Sequence, residues 1–272
     1  MKRLTILLIA SVVMCACEKT LDLKYDSMEP ILVIDAQVST SGIKARMSYS
    51  KDVKNNDVEH ESSATAVTVN GDDGSSVALS YDVQGWYRAP AGAVGKPGVN
   101  YTFSAVVEGK TYVAESRMPR AVAIDSVVYR DIKIMGEDHR FACIYFQDTP
   151  GEDNYYYYLM YVNQEEEGES PYEWDIMDDE NEDGKQIMAL INCSEEEEGA
   201  GMNGKDKLEA GDKVRIEFRV VDEFTYKYLT AVRVANPFRP GNPPASYSET
   251  CLGYFSAFAE IVFEEIFDGE TH

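Results

Sequence analysis

The chain has 272 residues, with 48 Asp and Glu against 25 Lys and Arg, for a formal charge of −23. That balance excludes a nucleic-acid or anionic-lipid partner held through a basic surface, since both demand clustered Lys and Arg. Eighteen Tyr among runs of Val and Ile point to a mainly β protein, long enough for one large domain or two smaller ones.

Lys2 and Arg3 precede an apolar run over residues 4–14, the length of a signal-peptide core and too short for a membrane span. Ala16-Cys17-Glu18 follows, which matches a loose lipobox and makes Cys17 the expected lipidation site and first mature residue. Cys15 is the rival acceptor, but Met14 before it is bulky for a cleavage pocket; a plain secretory leader is the other alternative. Cleavage before Cys17, within the 1–17 lipoprotein signal, takes Lys2 and Arg3 away and leaves a formal charge of −25. Acyl chains on Cys17, worth about 0.8 kcal/mol per buried methylene, would hold the protein at a membrane surface. No later stretch is apolar enough to span a bilayer as a helix. Residues 18–29 read as a tether.

Residues 31–38 open the fold as a buried strand, and the alternating residues 44–50 pair with it across Ser41-Gly42. Residues 51–63 are polar and read as a loop. Ala66-Val67-Thr68-Val69 and residues 77–81 flank Asn70-Gly71-Asp72-Asp73-Gly74, a hairpin turn by composition. Gly85-Trp86-Tyr87-Arg88 is a short strand, and residues 90–98 are Gly/Pro punctuation. A second hairpin joins residues 101–107 and 111–114 through Glu108-Gly109-Lys110. Short, evenly spaced strands over residues 30–120 predict a β-sandwich of the immunoglobulin or transthyretin type.

A second β domain is predicted over residues 121–267, with strands at 124–129, 141–146 and 155–162. In the last of these, Tyr155, Tyr157, Leu159 and Tyr161 face one way and Tyr156, Tyr158, Met160 and Val162 the other. Both faces want cover, which places the strand inside a sheet. Core packing explains these tyrosines; a ladder for sugar or peptide is the alternative. Residues 165–198 hold fifteen carboxylates against the single base Lys185, so they read as exposed acidic loops, interrupted by a strand at 187–191. Residues 214–220 alternate cleanly and have one wet face. Asp222 is placed as the N-cap of the one expected helix, near residues 223–235, which Asn236-Pro237 stops. Residues 238–248 form an extended connector, a last strand runs to Phe263, and the acidic end, with the 268–272 tail, frays.

Of the mature cysteines, Cys143, Cys193 and Cys251, a pair such as Cys193–Cys251 could bridge in an oxidising compartment; three buried thiols are the alternative. Asp179, Asn181 and Asp183 before Gly184 match the first half of a calcium loop. An EF-hand needs Glu at the twelfth position, where Leu190 stands, so the pattern is read as a calcium turn inside a β protein or as a plain solvated turn. His60, His139 and His272 lie in no metal or triad motif, and there is no P-loop, G-x-S-x-G or GxGxxG. No catalytic residues are assigned, and the chain is read as not an enzyme. A glycosidase needs only two placed carboxylates, so an extracellular hydrolase stays as a lesser alternative.

Several features in order resemble a family of Bacteroidetes lipoproteins, domain of unknown function 4249. They are Cys17-Glu18-Lys19; Pro30-Ile31-Leu32-Val33-Ile34-Asp35-Ala36; Gly85-Trp86-Tyr87; Gly98-Val99-Asn100-Tyr101-Thr102; and Met118-Pro119 before Ile124-Asp125-Ser126. Asp222-Glu223 with Tyr226 and Tyr228-Leu229, Asn236-Pro237-Phe238, Asn242-Pro243-Pro244 and Leu252-Gly253-Tyr254-Phe255 complete the set. The acidic 165–198 stretch and Glu249-Thr250-Cys251 depart from the pattern. The resemblance implies an outer-membrane lipoprotein, displayed on the cell surface, that binds a ligand for, or assists, a TonB-dependent β-barrel transporter. It supplies no catalytic residues. A structural or adhesive surface protein is the alternative. The acidic loops are expected to meet a cationic ligand, calcium or the barrel's loops.

Overall fold

The computed structural model describes residues 29–50, 62–164, 171–194, 206–235 and 243–271. Cys17, the leader, most of the tether, the 51–61 loop and the glutamates at 195–198 lie outside them.

The fold is mainly β, with one helix among the described residues. In chain order the strands are β1 (Leu32–Ser39), β2 (Ile43–Tyr49), β3 (Ala64–Gly71), β4 (Ser76–Ala78), β5 (Ser80–Tyr81), β6 (Trp86–Arg88), β7 (Asn100–Val107) and β8 (Lys110–Arg117). The second half gives β9 (Ile124–Ile134), β10 (Glu137–Gln147), β11 (Tyr155–Val162), β12 (Glu173–Asp178), β13 (Gln186–Asn192), β14 (Lys213–Val221), the helix α1 (Glu223–Val234) and β15 (Phe255–Ile266).

One long sheet organises the molecule, in the order β12-β11-β14-β15-β1-β2-β6-β5. One of its faces packs on two smaller sheets, β4-β3-β7-β8 and β13-β10-β9. Strand alternation sets which side chains go where. Ile34, Ala36 and Val38 of β1 and Phe255, Ala257 and Ala259 of β15 enter a first core with Phe103 of β7. Tyr156, Tyr158 and Met160 of β11 and Ile216, Phe218 and Val220 of β14 enter a second core with Phe146 of β10. Aromatic rings meet across both layers: Phe103 lies 5.5 Å from Phe255, and Phe146 lies 4.7 Å from Phe218. Each such ring contributes about 1.5–3 kcal/mol through burial alone.

The two halves are joined by β15, which pairs antiparallel with β14 and parallel with β1. Gly253 makes that seam possible. Its φ is +91°, and a Cβ there would stand 2.1 Å from the Ile34 carbonyl oxygen. On either side of it Ile34 N–H donates to Leu252 O at 2.9 Å and Ala36 N–H to Tyr254 O at 3.0 Å. The split expected at residue 120 is therefore bridged by the long sheet, and Tyr247, Cys251 and the start of β15 serve the first core.

The structure corrects several expected elements. The run at 77–81 divides at the buried Leu79, with β4 pairing β3 and β5 crossing to pair β6. The acidic 165–198 stretch contains β12, which pairs β11 and whose Asp175 meets Arg233 of α1. Strands β9 and β10 form one long hairpin closed by Met135 and Gly136, both at positive φ. β15 continues to Ile266, and Phe267 beyond it is buried, so that end is anchored rather than frayed. Cys143, Cys193 and Cys251 are all buried and outside any disulfide; Cys193 and Cys251 serve different cores, so the suggested bridge does not form.

α1 starts where expected. Asp222 has extended backbone angles and accepts from Thr225 N–H at 2.8 Å, a cap worth about 1 kcal/mol. Glu223 in the first turn and Arg233 in the last suit the helix dipole. The helix lies on the outer face of the long sheet, where Thr225 Oγ1 bonds Ser256 Oγ at 2.9 Å and Tyr228 stacks on Tyr254 at 4.4 Å. No helix among the described residues is long and apolar enough to cross a membrane.

Candidate functional site

The outer face of the long sheet carries, beside α1, a groove of about 700 Å³. It is built from the alternate side chains that the cores do not use. β14 offers Arg215, Glu217 and Arg219, and β11 offers Tyr157, Leu159 and Tyr161. β15 adds Phe258 and Glu260, β1 adds Gln37 and Ser39, β2 adds Lys44, and β6 adds Trp86 and Arg88. A smaller hollow of about 380 Å³ shares Tyr161, Gln164 and Arg215 and carries the depression past Glu264.

Cations and rings interleave along the floor. Arg219 lies over Phe258 at 4.5 Å and Tyr157 at 5.6 Å, and Arg215 lies over Tyr161 at 5.7 Å. Trp86 is flanked by Lys44, Arg46 and Arg88 at 5.5, 5.6 and 5.5 Å from its ring centre. Glu217 is buried between two guanidinium groups, pairing with Arg215 at 2.5 Å and with Arg219. Arg219 Nε is buried without a hydrogen-bond partner; Glu260 Oε2 stands 3.7 Å off. Burial works against the charge on Arg219, but Glu260 and Glu217 outweigh it and its pKa stays raised. Burial raises Glu260, with Arg219 opposing. Burial also pushes the Tyr157 hydroxyl up to about 12. The floor is thus a rigid set of planar donors, acceptors and rings, held by its own ion pairs.

Next to the groove, under α1, Asp35 of β1 is pushed up to about 6 by burial, against the pull of Arg46 and a bond from the Tyr254 backbone. Tyr228, Tyr247, Tyr254 and Cys251 surround it, and its charge helps to raise each of them.

The sequence-predicted site residues lie elsewhere. Cys17 is outside the described residues. Asp179 and Asp183 come together, with their ligand oxygens within 4.8 Å of a third carboxylate, Asp148 at the end of β10. Asn181 is exposed, and its carbonyl accepts from Lys185 Nζ at 2.6 Å. Asp148 accepts from Gly184 N–H at 2.7 Å and from the Tyr156 hydroxyl. Asp183 accepts from Gly151 N–H at 2.7 Å, and Asn154 Nδ2 reaches Asp179 at 3.4 Å. Burial raises the Asp179 pKa. These hydrogen bonds account for the convergence: the carboxylates tie the 179–185 turn to the ends of β10 and β11.

Sequence reasoning missed the groove. Its signals were present in the wet face of residues 214–220 and in the odd-numbered tyrosines of residues 155–162, but nothing local showed that the two faces adjoin.

A family model described as Domain of unknown function (DUF4249) matches residues 18–261. No curated protein matches the chain.

Proposed function

This chain belongs to the family of domain of unknown function 4249, and from that premise we propose that it is a non-catalytic binding lipoprotein. Anchored through Cys17 at the outer membrane and displayed on the cell surface, it holds a ligand in the groove and serves a TonB-dependent β-barrel transporter. The observation that carries this reading is the groove itself: about 700 Å³ of preformed hollow with rings and paired charges on a sheet face. A face so polar and so well tied is poor material for a protein core and good material for orienting a small polar ligand. The test is recovery of the lipidated protein from native membranes in mild detergent, with the accompanying proteins identified. A β-barrel transporter in near-equal amount is the expected result. Recovery alone, or as a ladder of its own multimers, overturns it in favour of a structural or adhesive role.

One observation favours a second reading. Glu217 and Glu260 both line the groove, and burial raises Glu260 toward the protonated form that a glycosidase acid requires. Against it, Glu217 is clamped by two arginines and has little freedom to act as base or nucleophile. A hydrolase would turn over a bound glycan and lose that turnover in Glu260→Gln.

A further inference from the structure

We infer that the ligand of the groove is an anionic oligosaccharide lying across the strands; this rests on the groove being the ligand site. Three features carry the inference.

The first is charge. The protein has a formal charge of −23, yet four cations, Lys44, Arg88, Arg215 and Arg219, line this hollow against two carboxylates, Glu217 and Glu260. Two of the cations are half-exposed and hold their outer partners on the rim: Arg88 pairs with Asp82 at 2.9 Å and Arg215 with Glu264 at 3.5 Å. Neither Asp82 nor Glu264 lines the groove. Solvent-exposed pairs of this kind contribute little to stability, so an incoming anion can exchange with them at small cost. A guanidinium offers such an anion two parallel donors.

The second is shape. The lining crosses six neighbouring strands from β11 to β6. Five strand spacings of about 4.8 Å make roughly 24 Å, the reach of an extended chain rather than of a single ring.

The third is the kind of partner the floor can satisfy. It is the face of a sheet, so the backbone donors and acceptors of its inner strands are already used in the ladders. An extended peptide would find no edge to pair with and would bury unmet amide groups. A glycan carries hydroxyls at every unit. Those can meet the guanidinium, carboxylate and amide groups of Arg219, Glu260 and Gln37, while its flat apolar faces lie on Trp86 and Tyr161. The buried Nε of Arg219, without a hydrogen-bond partner, is one donor left over inside the site.

The experiment is titration calorimetry on the mature lipoprotein in detergent. The probes are an oligogalacturonate, its methyl ester, a sulfated galactan oligosaccharide and poly-glutamate. Binding of either anionic glycan, weakened by salt and at least tenfold weaker for the Arg88→Ala/Arg215→Ala variant, is expected. That variant leaves the buried Glu217 with Arg219 as its remaining partner, so its melting temperature checks folding; Lys44→Gln, which leaves both arginines on Glu217, is a second, milder probe with the same expected direction. Equal binding of the methyl ester overturns the anionic class while leaving the groove a ligand site. Binding of poly-glutamate alone assigns a peptide instead. No binding to any probe removes the inference, and the membrane recovery described above then decides separately whether the transporter reading survives.

Discussion

Asp35 gives the sharpest prediction about the folded protein. Its carboxyl is raised from 3.8 to about 6 in the fold, chiefly by burial, with Arg46 and the Tyr254 backbone opposing. Between those values the folded state binds the proton more tightly than the unfolded chain. Stability from this group is therefore fully present below about pH 4 and is lost as pH rises through about 6. A shift of this size corresponds to about 2–3 kcal/mol at 1.36 kcal/mol per unit. Asp35→Asn keeps the shape and removes the titration. Urea unfolding of both proteins at closely spaced pH values from 4 to 7 is the assay. The many other carboxylates titrate in both proteins, so the difference in unfolding free energy isolates Asp35. That difference should move by about 2–3 kcal/mol in favour of the variant as pH rises. A difference that stays constant within a few tenths of a kcal/mol would refute the argument from burial.

Gly253→Ala should cost about 3 kcal/mol or more, since it combines a φ of +91° with a methyl 2.1 Å from the Ile34 oxygen; urea unfolding near the wild-type midpoint would show that the seam can relax. Cys143, Cys193 and Cys251 should react with a thiol reagent only after denaturation, and a reductant should leave the melting temperature unchanged; fast native labelling, or melting lowered by reductant, would count against three buried thiols.

Much of the strand pattern was legible because a period of two in apolar side chains is a local property. Val214 to Val220 and Ala66 to Val69 wrote their buried faces into the chain, and Asp222 marked the start of the helix. β12 was hidden because its carboxylates outweigh Trp174 and Ile176 in composition; only the pairing with β11 and the reach of Arg233 to Asp175 make it a strand. The groove was hidden for a different reason. Tyr157 and Arg219 become neighbours by cross-strand pairing over long separations, which no window of sequence contains. The calcium pattern showed only part of its cluster: Asp179 and Asp183 do converge, but with Asp148, thirty-odd residues earlier, which no local window contains, while Asn181 stays exposed.

The placing of β15 between β1 and β14 also sets an order in time. Ala36 pairs early with Ala45 of β2 but finds its second partner only when Phe255 has been made, and the first core lacks Tyr247, Cys251, Phe255 and Ala257 until then. An amino-terminal half emerging first from a ribosome has the β4-β3-β7-β8 layer but only part of the long sheet that faces it. It must wait, with one edge of β1 unpaired, for nearly the whole of this chain to arrive. Such long-range pairing makes for slow folding and exposes the waiting edge to other chains. An amino-terminal half whose core is completed only by β15 also cannot be released, by proteolysis or early termination, as a finished fold.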